Sequence, residues 1–169
     1  MKKIILLLFI LAYSCEDNVN DNDVNNDNSN LIFIASEGSY GDSDGSITVF
    51  NNNEKIQTVE NIGDVVHSIL VHENKLFVIV NNSHLIKRYS ITETGLSLPG
   101  IEIDTDNSSP REMVIVGNKL YFTNWNSKDI KVLNLNTFSI ETSITVEGIP
   151  EDIVSDGDFL YVSIPNLEL

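Results

Sequence analysis

Three stretches of the chain share one register: Val66-His67-Ser68-Ile69-Leu70-Val71-His72-Glu73-Asn74-Lys75-Leu76-Phe77-Val78, Pro110-Arg111-Glu112-Met113-Val114-Ile115-Val116-Gly117-Asn118-Lys119-Leu120-Tyr121-Phe122, and Pro150-Glu151-Asp152-Ile153-Val154-Ser155-Asp156-Gly157-Asp158-Phe159-Leu160-Tyr161-Val162. They align without a gap. Leu76, Leu120 and Leu160 stand 44 and 40 residues apart, and Leu31 in Leu31-Ile32-Phe33-Ile34 lies 45 residues before Leu76. A period of roughly 40 to 45 residues made of short strands is the spacing of one β-propeller blade per repeat.

Inside one unit, Glu112 to Val116 and Lys119 to Asn124 are rich in β-branched and aromatic residues and flank Gly117-Asn118, a turn dipeptide, so they read as a hairpin. Asp129 to Asn134 then sets Ile130, Val132 and Leu133 against Asp129, Lys131 and Asn134, and Ser139 to Val146 gives a fourth run. The preceding unit repeats the scheme at Ser68 to Val71, Leu76 to Val80, Leu85 to Ile91 and Gly100 to Ile103. No segment after residue 15 carries a helical period. Parallel β-helices and sandwiches compete as all-β readings, but β-helix coils are shorter and sandwiches do not repeat at this spacing. The expected fold class is therefore all-β, a β-propeller of four-stranded blades.

Residues 31 to 62 supply only the second, third and fourth strands of a blade, two whole blades follow, and residues 150 to 169 supply only a first and a second strand. That makes about three and a half blades, where closed rings take roughly 4 to 8. The strand count predicts a fragment of a seven-bladed ring, from a truncated reading frame in preference to a half-propeller that dimerises.

At the amino terminus, Lys2-Lys3 precedes the apolar run Ile4 to Leu11, far short of the roughly 20 residues that span a bilayer. Residues 1–14 read as an export signal. Ala12-Tyr13-Ser14-Cys15 resembles a bacterial lipobox, and Cys15 is the only cysteine, so it has no partner for an internal disulfide. Lipidation at Cys15 would anchor the chain to a membrane. Residues 15–30 follow as an acidic tether rich in Asn and Asp, too polar to bury a core. Acidic residues directly after a lipobox cysteine resemble the signal that carries some lipoproteins to the outer face of the outer membrane. Within the tether, Asp21, Asp23, Asn25 and Asp27 suggest a calcium loop, but Asn26 stands where an EF-hand needs glycine and Ile32 where it needs glutamate. The third segment, 31–169, is the partial propeller.

The full chain carries 10 basic and 25 acidic residues; removing Lys2 and Lys3 with the signal leaves 8 basic residues and a formal charge of −17. Such a chain repels nucleic acid and anionic head groups, so no nucleic-acid partner is expected.

Propeller geometry gathers the loops that enter the first strand of each blade and those that leave the second on one face. His67, Arg111 and Glu151 occupy the same repeat position there and would ring the mouth of the central channel. Unlike charges at one structurally equivalent position suit a ligand site built from unlike blades; they also suit solvated strand starts. Trp125, the only tryptophan, and Tyr40, in the loop Glu37 to Gly45, share that face as stacking platforms or as packing against a neighbouring blade. Asp42 and Asp44 read as a turn in preference to a calcium site. His72 and His84 are placed away from the mouth. No G-x-S-x-G, H-E-x-x-H or phosphate-binding glycine loop occurs. No enzyme activity, metal or cofactor is expected.

The run Lys119-Leu120-Tyr121-Phe122-Thr123-Asn124-Trp125, followed by Asp129-Ile130-Lys131-Val132, resembles the YVTN-type β-propeller repeat, whose hallmark strand ends in a threonine-asparagine pair. Phe159 to Ser163 and Lys75 to Val78 match it more loosely. The opening Ile34-Ala35-Ser36-Glu37-Gly38-Ser39-Tyr40-Gly41, behind a lipoprotein signal and an acidic tether, is similar to cell-surface propeller lipoproteins found beside TonB-dependent transporters. Some of those capture cobalamin. The resemblance implies a non-enzymatic, surface-exposed outer-membrane lipoprotein whose partner is a small, cobalamin-like ligand or a TonB-dependent transporter. Fold alone does not fix function, so two alternatives stand: a propeller-class enzyme (lyase, glycosidase or quinone-dependent dehydrogenase) with part of its site in further blades, and a structural or adhesive module.

Overall fold

The computed structural model describes residues 30–165. The expected signal at 1–14, the lipidation site Cys15 and all but the last residue of the tether lie outside the described residues. What is described forms four radially neighbouring antiparallel sheets. The first holds β1 (Leu31–Ser36), β2 (Ser46–Asn51) and β3 (Glu54–Val59); the second holds β4 (Val66–His72), β5 (Lys75–Val80), β6 (Leu85–Thr92) and β7 (Gly95–Asp104). The third holds β8 (Pro110–Val116), β9 (Lys119–Asn124), β10 (Asp129–Asn134) and β11 (Ser139–Thr145), and the last pairs β12 (Ile153–Ser155) with β13 (Leu160–Val162). Each sheet is a meander in sequence order, and β4, β8 and β12 pack side by side as the innermost strands.

Recurring backbone bonds establish which strands correspond. Ile62 N–H donates to the Gly45 carbonyl, Thr105 N–H to His84 and Val146 N–H to Lys128, each tying the chain after an outermost strand to the turn before the third. By this equivalence β1, β2 and β3 are a second, third and fourth strand, so the first sheet lacks an innermost strand among the described residues. The strand count read from the repeat therefore holds.

Two apolar layers fill the gaps between sheets. Leu76, Val78 and Val80 of β5 face the first sheet beside Ile47, Val49 and Val59, whereas Phe77 and Ile79 face the third beside Leu120, Phe122 and Met113. Period-2 alternation sends successive side chains to opposite faces, and a blade between two others buries both. That is why β5 reads as an unbroken apolar run, while β1, with Ile32 and Ile34 half-exposed, covers only one face.

The Thr123-Asn124 pair ties the third sheet together. Asn124 is fully buried; its Nδ2 donates to the Phe122 and Asp129 carbonyls at 3.1 and 3.3 Å, and its Oδ1 accepts from Ser108 Oγ at 2.6 Å. Thr123 Oγ1 accepts from Glu112 N–H at 3.1 Å and donates to the Glu151 carbonyl at 2.9 Å, reaching into the next blade. Asn124→Ala leaves the buried Ser108 hydroxyl without its acceptor and takes a donor from two strand carbonyls, so thermal unfolding should show a loss of about 2 kcal/mol. Exposed Asn136, replaced the same way, should lose at most about 0.5 kcal/mol.

β7 is longer than the sequence suggests, running over Gly95–Asp104 in place of Gly100 to Ile103. Leu96 and Ser97 pair with Ile91 and Ser90 before a bulge interrupts the ladder. Gly95, Pro99 and Gly100 read as strand breakers, yet this bulge absorbs two of them.

Candidate functional site

The loops that enter β4 and β8 share a left-handed residue, Val65 at φ 62° and Ser109 at φ 54°. Such a φ is costly for a β-branched valine, about 1–3 kcal/mol, but Val65 is buried and its carbonyl accepts the Asn81 N–H at 2.8 Å. At the equivalent place the Ser109 carbonyl accepts the Trp125 N–H at 3.0 Å, which seats Trp125 over the start of β8. Directly after these turns the ladders slip, between Val66 and Ser68 in β4 and between Pro110 and Met113 in β8. His67, Arg111 and Glu112 occupy those bulges. A bulge re-aims the side chains it carries.

The result is a continuous network across three blades. Trp125 Nε1 donates to Glu151 Oε2 at 2.8 Å, and Arg111 Nε and Nη2 donate to Glu151 Oε1 at 3.2 and 2.5 Å. The Arg111 guanidinium lies over the Trp125 ring, 3.9 Å from its centroid. Arg111 Nη1 approaches His67 Nδ1 at 3.4 Å, and His67 Nε2 lies 3.6 Å from Glu112 Oε1, whose other oxygen accepts from Ser68 Oγ at 2.7 Å. An arginine can only donate, so His67 Nδ1 must accept, which fixes the neutral imidazole with its proton on Nε2 facing Glu112.

Burial holds the His67 pKa below its ordinary 6.5, and the Arg111 cation pushes it the same way; Glu112, Glu151 and Glu37 oppose the shift. Because the folded pKa is depressed, the unfolded chain binds the proton more readily, and stability is lost as pH falls below 6.5. Thermal midpoints of the wild-type chain should therefore fall between pH 6.5 and the range where carboxylates titrate. His67→Gln should flatten that segment of the profile. An unchanged slope would remove His67 as its source.

Four of the five residues expected at the mouth, His67, Arg111, Trp125 and Glu151, thus meet in one cluster. Tyr40 does not join them. Its side chain is 81% exposed, on a loop fastened by Gly41 N–H to Asp64 Oδ1 at 2.9 Å and by Ser39 N–H to Asp44 Oδ1 at 2.6 Å. Asp44 spends its carboxylate on that turn, as the turn reading of Asp42 and Asp44 expects. Trp125 stacks on Arg111 of its own blade and reaches the next blade through the indole N–H to Glu151, and 36% of the residue stays open. His84, placed away from the mouth in the sequence reading, lies in the turn before β6, where its Nδ1 accepts the Ser109 N–H at 3.1 Å. Glu112 and Ser68 are members the sequence did not single out. Among the described residues no group of three or more His, Cys, Asp or Glu side chains is placed to hold a metal ion.

No protein-family model matches the chain, and no curated protein does. Solved structures do. The β-propeller domain of Cps50 (Swd1) from Myceliophteria thermophila superposes with a TM-score of 0.67 at 10% identity, over 81% of this chain and 45% of that one. A functionally unknown protein from Desulfotomaculum acetoxidans gives 0.67 at 16% identity, over 80% and 45%. The WD40 β-propeller domain of Doa1 gives 0.59 at 16% identity, over 76% and 46%. The chain spans a little under half the length of these structures. At such identities the likeness concerns the fold alone, and the fold is that of a partial β-propeller.

Proposed function

We propose that the chain is a non-enzymatic binding module, anchored by a lipid on Cys15 at the outer face of the outer membrane. Its channel-mouth face is turned to a small flat ligand or to the transporter that receives it. The observation that carries this reading is the state of Trp125. Its indole N–H is held by Glu151 and one face by Arg111, yet about a third of the residue remains open. A platform already immobile loses little entropy when a ring stacks on it. Arg111 has five N–H donors, of which three are engaged with Glu151 and His67, leaving two for an acceptor on a guanidinium that stacks on the indole. A flat ring edged with acceptor oxygens fits both features, and the amide-bearing corrin of cobalamin enters the test only through the sequence resemblance.

Calorimetry of the purified chain against a metabolite panel that includes cobalamin tests this. Trp125→Ala and Arg111→Ala should weaken the ligand found by about 2 kcal/mol, roughly thirtyfold, while Asn74→Ala and Asn118→Ala on the opposite face should not. Turnover of a panel member would favour the enzyme reading. The internal pairing of Arg111 also suits a purely structural clamp, and in that case both mouth variants lose stability with no ligand ever found. Fatty-acid labelling that is lost in Cys15→Ala supports the anchor.

A further inference from the structure

In each of the three sheets that carry a fourth strand, that strand is bulged at one place, opposite Phe50, Tyr89 or Leu133. In the first sheet Val49 pairs with Gln57 and Phe50 with Lys55, leaving one residue over; in the third, Val132 pairs with Thr142 and Leu133 with Ile140, again leaving one. The second sheet departs from this rule. Arg88 pairs with Ile101 and Ser90 with Ser97, so Leu98, Pro99 and Gly100 together stand opposite Tyr89 alone. The enlarged bulge forms the lip of a groove of about 290 Å³ between the first two sheets, lined by Val59, Ile62, Leu98 and Pro99 and by the Lys87–Glu102 ion pair at 2.8 Å.

Tyr89 forms part of this groove, and its hydroxyl has no assigned work. The residue is 4% exposed, packed in the apolar layer with Ile62 and Val66, at a position where the other two blades carry plain Phe50 and Leu133. Among the described residues the hydroxyl has no hydrogen-bond partner, yet Arg88 Nε is the buried side-chain polar atom left unpaired, so the Tyr89 oxygen reaches solvent. Gly100 makes room for the ring, since a Cβ there would lie 2.6 Å from Tyr89 Cε1. Burial, with Glu102 adding to it, raises the Tyr89 pKa, which keeps the hydroxyl protonated and able to donate.

We propose that this rim groove is a second binding site, for a small neutral single-ring molecule bearing one hydroxyl or carbonyl oxygen. The ring lies on the Val59, Ile62, Leu98 and Pro99 walls, and the oxygen takes the Tyr89 hydroxyl. Glu60 and Glu102 at its edge disfavour an anion. The site is separate from the channel mouth and stands or falls independently of it.

The probes are p-cresol and toluene, equal in ring size and differing in the oxygen, titrated into the ¹⁵N-labelled full chain with amide shifts as the readout. Saturable shifts confined to Val59 to Ile62 and to β6 and β7 are expected, with p-cresol about fivefold tighter than toluene. Tyr89→Phe should fold with undiminished stability and remove that preference. Leu98→Arg, at an exposed lip position, should abolish the shifts from both probes. No saturable shift in the groove overturns the proposal, as does a p-cresol preference that persists in Tyr89→Phe. A marked loss of stability in Tyr89→Phe also overturns it, because the hydroxyl would then have a structural partner.

Discussion

Replacing Phe122 with alanine is expected to cost about 3–5 kcal/mol, the largest loss from any single truncation considered for this chain. The ring is fully buried between the second and third sheets, against Phe77, Ile79, Met113 and Leu120, and neither sheet can collapse into the space without breaking its ladder. Chemical denaturation monitored by far-ultraviolet dichroism would show the midpoint falling steeply. Phe159, 67% exposed on the last hairpin, provides the contrast: its alanine variant should lose about 0.5 kcal/mol or less. Comparable losses at both positions would contradict the packing of blade on blade.

Glu151→Ala should produce the second largest effect, about 1–3 kcal/mol, with a change in Trp125 emission. Removing the carboxylate leaves Arg111, 16% exposed at its side chain, without its main counter-charge and takes the acceptor from the indole. Breaking a fully buried pair costs more, but the Glu151 side chain is 33% exposed and water offsets part of the loss. Glu151 also leads into β12, so loosening it should free the last hairpin from the third sheet. Because Trp125 is the only tryptophan, its emission reports the network alone and should move to longer wavelength as the ring gains water. A double-mutant cycle with Arg111→Ala should return a coupling of about 1 kcal/mol or more. Additive losses would mean that the two side chains do not act as a pair.

Much of this was legible in the sequence because the repeat constrains it. Leu76, Leu120 and Leu160 occupy the same buried or half-buried strand position, and any chain with that period must bury both faces of its middle sheets. The convergence of His67, Arg111 and Glu151 followed from their shared repeat position. Glu112 escaped notice for a physical reason: strict alternation sends neighbours to opposite faces, and the bulge at the start of β8 suspends that rule where Arg111 and Glu112 stand. Loop topology groups Tyr40 with the mouth, but the hydrogen bonds of its loop to Asp64 and Asp44 leave its ring in solvent. The enlarged bulge at Leu98 to Gly100 has no signature beyond residues that resemble a loop.

The central claim, that a pre-ordered Trp125 on the channel-mouth face receives a small flat ligand, is tested most directly by following Trp125 emission while the full chain is titrated with the metabolite panel. The account predicts a saturable change for a flat, acceptor-edged ligand, weakened roughly thirtyfold in Arg111→Ala and retained in Asn118→Ala. Saturable binding that leaves Trp125 emission untouched, or that Arg111→Ala does not weaken, would contradict it.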